Sequence, residues 1–436
     1  MAKDQPDMNQ ALLLTLIFGA AGVIGTLVTI FAWILPRRAE LSRQQEQQLV
    51  EGTTQRVVSA LQVYLGDLPK SSNPEIKDPF DAGRKLMAEH KWDAAIEEFQ
   101  KAIAHAEGSQ IVALCNLIGN CYYSSGRNDE ARSSYLRSLD LARLCNDRAG
   151  EGNALGNLGT IHQLKGELDT ALKYHQDALL IARETGNRHG TAQDLGNIGL
   201  IYRGRGDLDA ALTSFQEALK IHQELGYRQG AASQLGNIGL IHQARGDADA
   251  ALKYYEDALK LFREISFRPG EANMLGNIGL IHHARGELDA ARVYFTDVLR
   301  ITQAIGDRTS AAKAMCNLGT IYQTKGELDR ALEYSRDAWK ILQEAGLRHA
   351  ATSVLANIGL IYQDKGELDT ALKYLLDALK VFDEIQATRE QAEVLRRLAQ
   401  LRDKLGRTEF SAACLKLGMP QTDMDKLATR LDSVSV

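Results

Sequence analysis

Residues 195–202 read LGNIGLIY, and residues 235–242 and 275–282 both read LGNIGLIH. Residues 155–162 read LGNLGTIH, and residues 355–362 read LANIGLIY. The copies stand 40 residues, or a whole multiple of 40, apart. A fixed period of this size marks a solenoid, because one unit cannot bury its apolar face alone while stacked units can. The rest of the chain is read outward from this stretch.

Around it lies a longer repeated series. Gly159, Gly199, Gly239, Gly279, Gly319 and Gly359 are each followed by a second glycine, at 166, 206, 246, 286, 326 and 366. Alanines follow at 171, 211, 251, 291, 331 and 371. The pattern predicts a helix pair per unit. In the middle unit the first helix runs over about 191–205, with Leu195, Ile198, Ile201 and Tyr202 on one apolar stripe. Gly199 lets another element approach, and Gly206–Asp207 ends one helix and starts the next. The second helix starts at about 208–210 and turns Ala211, Phe215, Ala218 and Leu219 toward the first.

The series Gly199, Gly206, Ala211, Phe215, Ala218 resembles the tetratricopeptide repeat. The unit length of 40 is similar to the extended repeats of the kinesin light chain and of the Pins/LGN spindle-orientation family. The resemblance spans residues 76–406 and implies an all-α, right-handed superhelical solenoid of antiparallel helix pairs. About eight units are expected, closed by a capping helix over 389–405 with Leu395, Leu398 and Leu401 inward and Arg397, Arg402 and Lys404 outward. Residues 407–436 form a C-terminal tail, its end a short helix or disordered.

The resemblance also places a binding groove on the concave face of the first helices. It puts Asn157, Asn197, Asn237, Asn277, Asn317 and Asn357 there. An Asn amide both donates and accepts, so such a row suits the backbone of an extended peptide; the alternative is that these amides bridge neighbouring helices. Leu200, Leu240 and Leu280 form an apolar strip beside them, and Arg203, Gln243 and His283 follow one turn on. The groove lacks the dense Lys/Arg set of chaperone carboxylate-clamp domains.

Arg148, Arg188, Arg228, Arg268, Arg308 and Arg348 recur after each second helix, where a cation complements the helix C-terminus. They read as structural, with anion binding as the alternative. His162, His242 and His282 stand where Tyr202, Tyr322 and Tyr362 stand, and read as core substitutes.

Ahead of the repeats, residues 1–10 are polar and residues 11–35 carry no charge. Twenty-five helical residues span about 37 Å, enough to cross a hydrocarbon core of about 30 Å. The run is too long for a signal peptide and lacks a small-x-small cleavage site, so a retained single-pass transmembrane helix is expected. Lys3 precedes it and Arg37, Arg38 and Arg43 follow, which predicts a cytoplasmic repeat region. Residues 36–67 read as a juxtamembrane helical stalk, either a short coiled coil or a solvated amphipathic helix. Residues 68–80, with three prolines, read as a linker.

Composition excludes several classes. A net charge of −5 and 6% aromatic residues argue against nucleic-acid binding. Five scattered cysteines, with no C-x-x-C pair, imply reduced and mostly buried thiols. No Walker loop, G-x-S-x-G or H-E-x-x-H is present, so no catalytic residue, cofactor or metal site is expected. The reading is a membrane-anchored protein–protein interaction adaptor with a peptide in its groove. The alternative is a self-assembling scaffold, a homo-oligomer that organises a complex at the membrane.

Overall fold

The structure is a computed structural model and describes residues 73–434. The predicted transmembrane helix at 11–35 and the stalk at 36–67 lie outside the described residues. Among the described residues no helix is long and apolar enough to cross a membrane. The described residues divide into two compact units, the first ending at Met274 and the second starting at Leu275.

The first unit is built from helix pairs: α1 (Pro74–Ala88) with α2 (Trp92–Ile103), α3 (Ser109–Ser124) with α4 (Asn128–Leu144), and α5 (Arg148–Leu164) with α6 (Leu168–Glu184). Then come α7 (Arg188–Gly204) with α8 (Leu208–Glu224) and α9 (Arg228–Ala244) with α10 (Ala248–Glu264). Helix α11 (Arg268–Ala284) holds the division between the units. The second unit continues with α12 (Leu288–Ala304), then α13 (Arg308–Thr324) with α14 (Leu328–Glu344) and α15 (Arg348–Asp364) with α16 (Leu368–Glu384). It ends with α17 (Thr388–Leu405), α18 (Arg407–Lys416) and α19 (Gln421–Val434).

Each pair closes through the repeated small residues and the side chain that faces them, an aromatic ring in most pairs but Ser335 and Leu375 in α14 and α16. Ala211, Phe215 and Ala218 of α8 are fully buried. A Cβ built on Gly199 would lie 2.5 Å from Cε1 of Phe215, so the phenyl ring occupies the space that glycine leaves open. Tyr255 fills the same space beside Gly239, and His175 beside Gly159.

The turns follow from the glycine–acid pairs. Gly206 has φ +81°, a left-handed conformation that costs an L side chain but not glycine. The Asp207 N–H donates to Tyr202 O at 2.9 Å and the Gly206 N–H donates to Arg203 O at 3.0 Å, which closes the helix end. The Asp207 carboxylate then accepts from the Ala210 N–H at 3.1 Å and caps α8. Asp247 and Asp307 do the same for α10 and α13 at those helices' own first turns.

Two ion-pair series fasten the helices. The Arg at the start of a first helix reaches the Glu at the end of its paired second helix: Arg148–Glu184, Arg188–Glu224 and Arg228–Glu264 in the first unit. Arg308–Glu344 and Arg348–Glu384 repeat this in the second. A cation in the turn reaches back to the preceding pair: Lys165–Asp129 and Arg205–Asp169, then Lys325–Asp289 and Lys365–Asp329. The periodic arginines are therefore structural.

The C-terminal segment departs from the sequence reading. Leu395, Leu398 and Leu401 are buried in α17 as expected, but Arg402 is buried too and donates to Asp432 at 2.7 Å. The tail is two further helices, and α19 lies on α17 with Leu427 and Leu431 buried. Arg430 forms a two-pronged pair with Asp383, 2.8 Å on each arm, which ties the tail to α16.

All five cysteines are free. Cys115, Cys121 and Cys414 are buried, Cys316 is half-buried, and Cys145 is exposed, the one departure from the expected burial.

Candidate inner-face binding site

The first helices of successive pairs touch one another directly. A Cβ on Gly156 would lie 3.3 Å from Asp194 Oδ1, and one on Gly196 would lie 3.0 Å from Gln234 Nε2. One on Gly236 would lie 3.1 Å from Met274 Cε. The first glycine of the LGN motif thus lets the next first helix close in over it. This contact sets how much of the candidate groove stays open.

In the first unit it closes much of it. Asn197 is 2% exposed and Asn237 4%, whereas Asn157 is half-buried. Asn157 Nδ2 donates to Asn116 Oδ1 at 3.4 Å, a bridge between α5 and α3. Asn237 Nδ2 donates to Gln234 Oε1, also at 3.4 Å. Asn197 Oδ1 is buried without a hydrogen-bond partner among the described residues, as is Gln163 Oε1. Leu200 belongs to the core with Phe215, Ile238 and Ile241, while Leu240 is half-buried. The Asn series therefore mixes amides that bridge helices with amides that are sealed in the stack.

In the second unit the same positions are more exposed. Asn277 and Asn317 are half-buried and Asn357 is exposed. Leu280 is exposed, and His283 is half-buried. Gln323 Nε2 donates to Asp364 Oδ2 at 2.7 Å, a link from α13 to α15.

Three groups of the first unit converge near the end of α7. The Tyr255 hydroxyl donates to Gln243 Oε1 at 2.7 Å and lies close enough to Arg203 to influence it. Burial lowers the Arg203 pKa, and the Tyr255 phenol works against that effect. Burial also raises the Tyr255 pKa, so the phenol stays neutral. Sequence reading named Arg203 and Gln243 but not Tyr255, which comes from a second helix and reaches them through the pair.

The histidines take the roles expected of core substitutes. His162, His242 and His282 stack on Tyr174, Tyr254 and Tyr294 with ring centroids 5.1–5.2 Å apart. Tyr322 stacks on Tyr334 in the same way. The His162 ring Nδ1 meets Glu167 at 2.5 Å. Among the described residues no group of His, Cys, Asp and Glu could hold a metal ion.

Missed altogether was a buried acid–base pair. His175 of α6 is fully buried, and its Nδ1 lies 3.0 Å from Oδ1 of Asp194, on α7. The available signal was a break in the repeat, for His175 stands where Tyr135, Phe215, Tyr255 and Phe295 stand.

Comparison with known proteins agrees with the geometry. A tetratricopeptide repeat model matches residues 109–167, 150–224 and 230–304, and a MalT-like TPR region model matches residues 270–417. No curated protein matches the chain. Among solved structures, a STAND signal-transduction ATPase with a tetratricopeptide repeat sensor from Pyrococcus horikoshii is similar over 84% of this chain, with 17% identity and a TM-score of 0.62. The chain spans just over half, 56%, of that protein. Aspartyl phosphate phosphatase F from Bacillus subtilis matches 82% of this chain and 94% of its own, with 16% identity and a TM-score of 0.51. The apo form of RapI matches 63% of this chain and 99% of its own, with 16% identity and a TM-score of 0.52. At these identities the likeness is one of fold.

Proposed function

Because the chain belongs to the tetratricopeptide repeat family, we propose that it is a membrane-anchored adaptor that captures a peptide segment of a partner protein on its first helices. The observation that carries this reading is a division of labour along those helices. Glycine, alanine and the side chain that fills the space over the glycine are consumed by stacking, whereas Leu240 in the first unit, and Leu280, His283, Asn317 and Asn357 in the second, remain partly or fully accessible. Side chains of this kind offer apolar contact and backbone-directed hydrogen bonds, a common way to hold a peptide. The uncharged run at 11–35 supplies the anchor.

The test is cross-linked capture with the full chain in native membranes, compared with Leu240→Ser and Leu280→Ser. Both variants are expected to keep their helicity, and loss of the partner in one of them assigns the site to that residue's unit. A partner retained by both places the site off the first helices, and recovery of the chain alone turns the reading toward a self-assembling scaffold. Deletion of residues 11–35 is expected to release the chain from membranes; a deletion variant that still sediments with them removes the anchor from the reading.

A further inference from the structure

The inference concerns the charge of the first-unit groove and rests on the peptide-binding reading above. The first helices α5, α7 and α9 present mostly neutral polar groups beside it, among them the half-buried Asn157, Thr160 and Gln243. Arg203 is the exception. The arginines of the two ion-pair series, such as Arg188 and Arg205, all have carboxylate partners. Arg203 has none among the described residues, and it is half-buried. Its neighbour Tyr255 has already given its hydroxyl hydrogen to Gln243. Two buried acceptors of the same helices, Asn197 Oδ1 and Gln163 Oε1, also lack partners.

A partly desolvated cation without a counter-charge is costly to hold. In the neighbouring pairs the same place is taken by Gln163 and Gln243, which shows that stacking does not require the charge. We propose that Arg203 is the seat for an anionic side chain, a carboxylate or a phosphoryl group, on the captured peptide. The planar guanidinium donates through a two-pronged fork that matches either group. The Arg203–Tyr255–Gln243 cluster sets where along the groove that side chain lies.

The experiment uses the full chain in detergent micelles and fluorescent degenerate nonapeptide libraries whose central residue is fixed as Glu, phosphoserine or Gln. Wild type is expected to bind the Glu library about tenfold more tightly than the Gln library, the gain of one charge-assisted contact. The phosphoserine library separates the two anion sources: tighter binding than to Glu assigns a phosphoryl ligand, weaker binding a carboxylate. Arg203→Gln, which copies Gln163 and Gln243, is expected to bind the Glu and Gln libraries equally, while Arg203→Lys keeps the preference. Equal binding of Glu and Gln libraries by wild type overturns this inference and leaves the groove reading intact. No library bound by wild type overturns the groove reading itself.

Discussion

The buried pair His175–Asp194 gives a quantitative test of how the units are joined. His175 has no exposed surface and Asp194 is 7% exposed, with 3.0 Å between Nδ1 and Oδ1. His175→Phe alone leaves a buried carboxylate without its partner, at a cost of about 3–5 kcal/mol. Asp194→Gln alone leaves the buried Nδ1 facing an amide of different length, a loss of about 1–3 kcal/mol. The double variant reproduces what the next pair already contains, since Phe215 and Gln234 stand 40 residues further on. Gln234 also accepts from the Asn237 Nδ2, so a glutamine introduced at position 194 can accept from the Asn197 Nδ2 in the same way. The double variant is therefore expected at wild-type stability or about 1–4 kcal/mol above it. The coupling energy of the cycle is then about 4 kcal/mol or more.

The assay is native-state hydrogen exchange of amides in α6 and α7, because a solenoid opens locally and a single global unfolding energy is poorly defined for it. Additive single variants, with coupling below about 0.5 kcal/mol, would refute the reasoning. A pH series adds a second readout. Burial raises the Asp194 pKa above its ordinary 3.8, while the hydrogen bond to His175 works in the other direction. The unfolded carboxyl loses its proton first as pH rises, so its contribution to stability is whole below 3.8 and falls as pH climbs through the folded value. The advantage of the double variant should therefore grow from pH 3.8 upward.

Two further outcomes are expected. His222 is 4% exposed, and burial, with a smaller push from His189, lowers its pKa from 6.5 to about 4. Its contribution to stability is thus present above pH 6.5 and lost as pH falls toward 4, by about 3 kcal/mol at full extent. His222→Phe, which copies Phe262, should flatten that part of the acid denaturation curve; an unchanged curve refutes the burial argument. Gly199→Ala should cost about 1–3 kcal/mol in urea denaturation, since its Cβ would lie 2.5 Å from the Phe215 ring. Gly276→Ala meets nothing within 4 Å and should be neutral or stabilising by up to about 1 kcal/mol, so equal costs at both sites would rule out the ring contact as the cause.

Much of the fold was legible because its causes are local. The apolar stripe of Leu195, Ile198 and Ile201 places α7 within a few residues, and Gly206–Asp207 fixes the turn through one left-handed residue and one cap. The pairing of Arg205 with Asp169 was not legible. It depends on the offset between a turn and the start of the preceding second helix, which no local periodicity encodes. The closure over Asn197 and Asn237 was missed for a related reason. The Asn spacing marks a face, but how near the next helix comes depends on Gly196 and Gly236 meeting Gln234 and Met274. The docking of the tail escaped because Arg430–Asp383 and Arg402–Asp432 join residues 47 and 30 positions apart.

In a solenoid, a residue that recurs every 40 positions is already explained by stacking, because each pair meets only its neighbours. Ala211 and its counterparts, the turn glycines and the arginine series are all of this kind. Specificity has to come from residues that break the series. Arg203 among glutamines breaks it at the groove, and His175 with Asp194 breaks it inside the stack. Both of these breaks fall within α6 and α7, while His283 breaks the glutamine series again and Ser335 and Leu375 break the aromatic one in the second unit. This also dictates the choice of substitutions: each break is best replaced by the residue 40 positions away, Gln243, Phe215 or Gln234. The stack has already accepted those side chains in the same register. A loss of binding in such a variant then reports the missing chemical group and not a damaged fold.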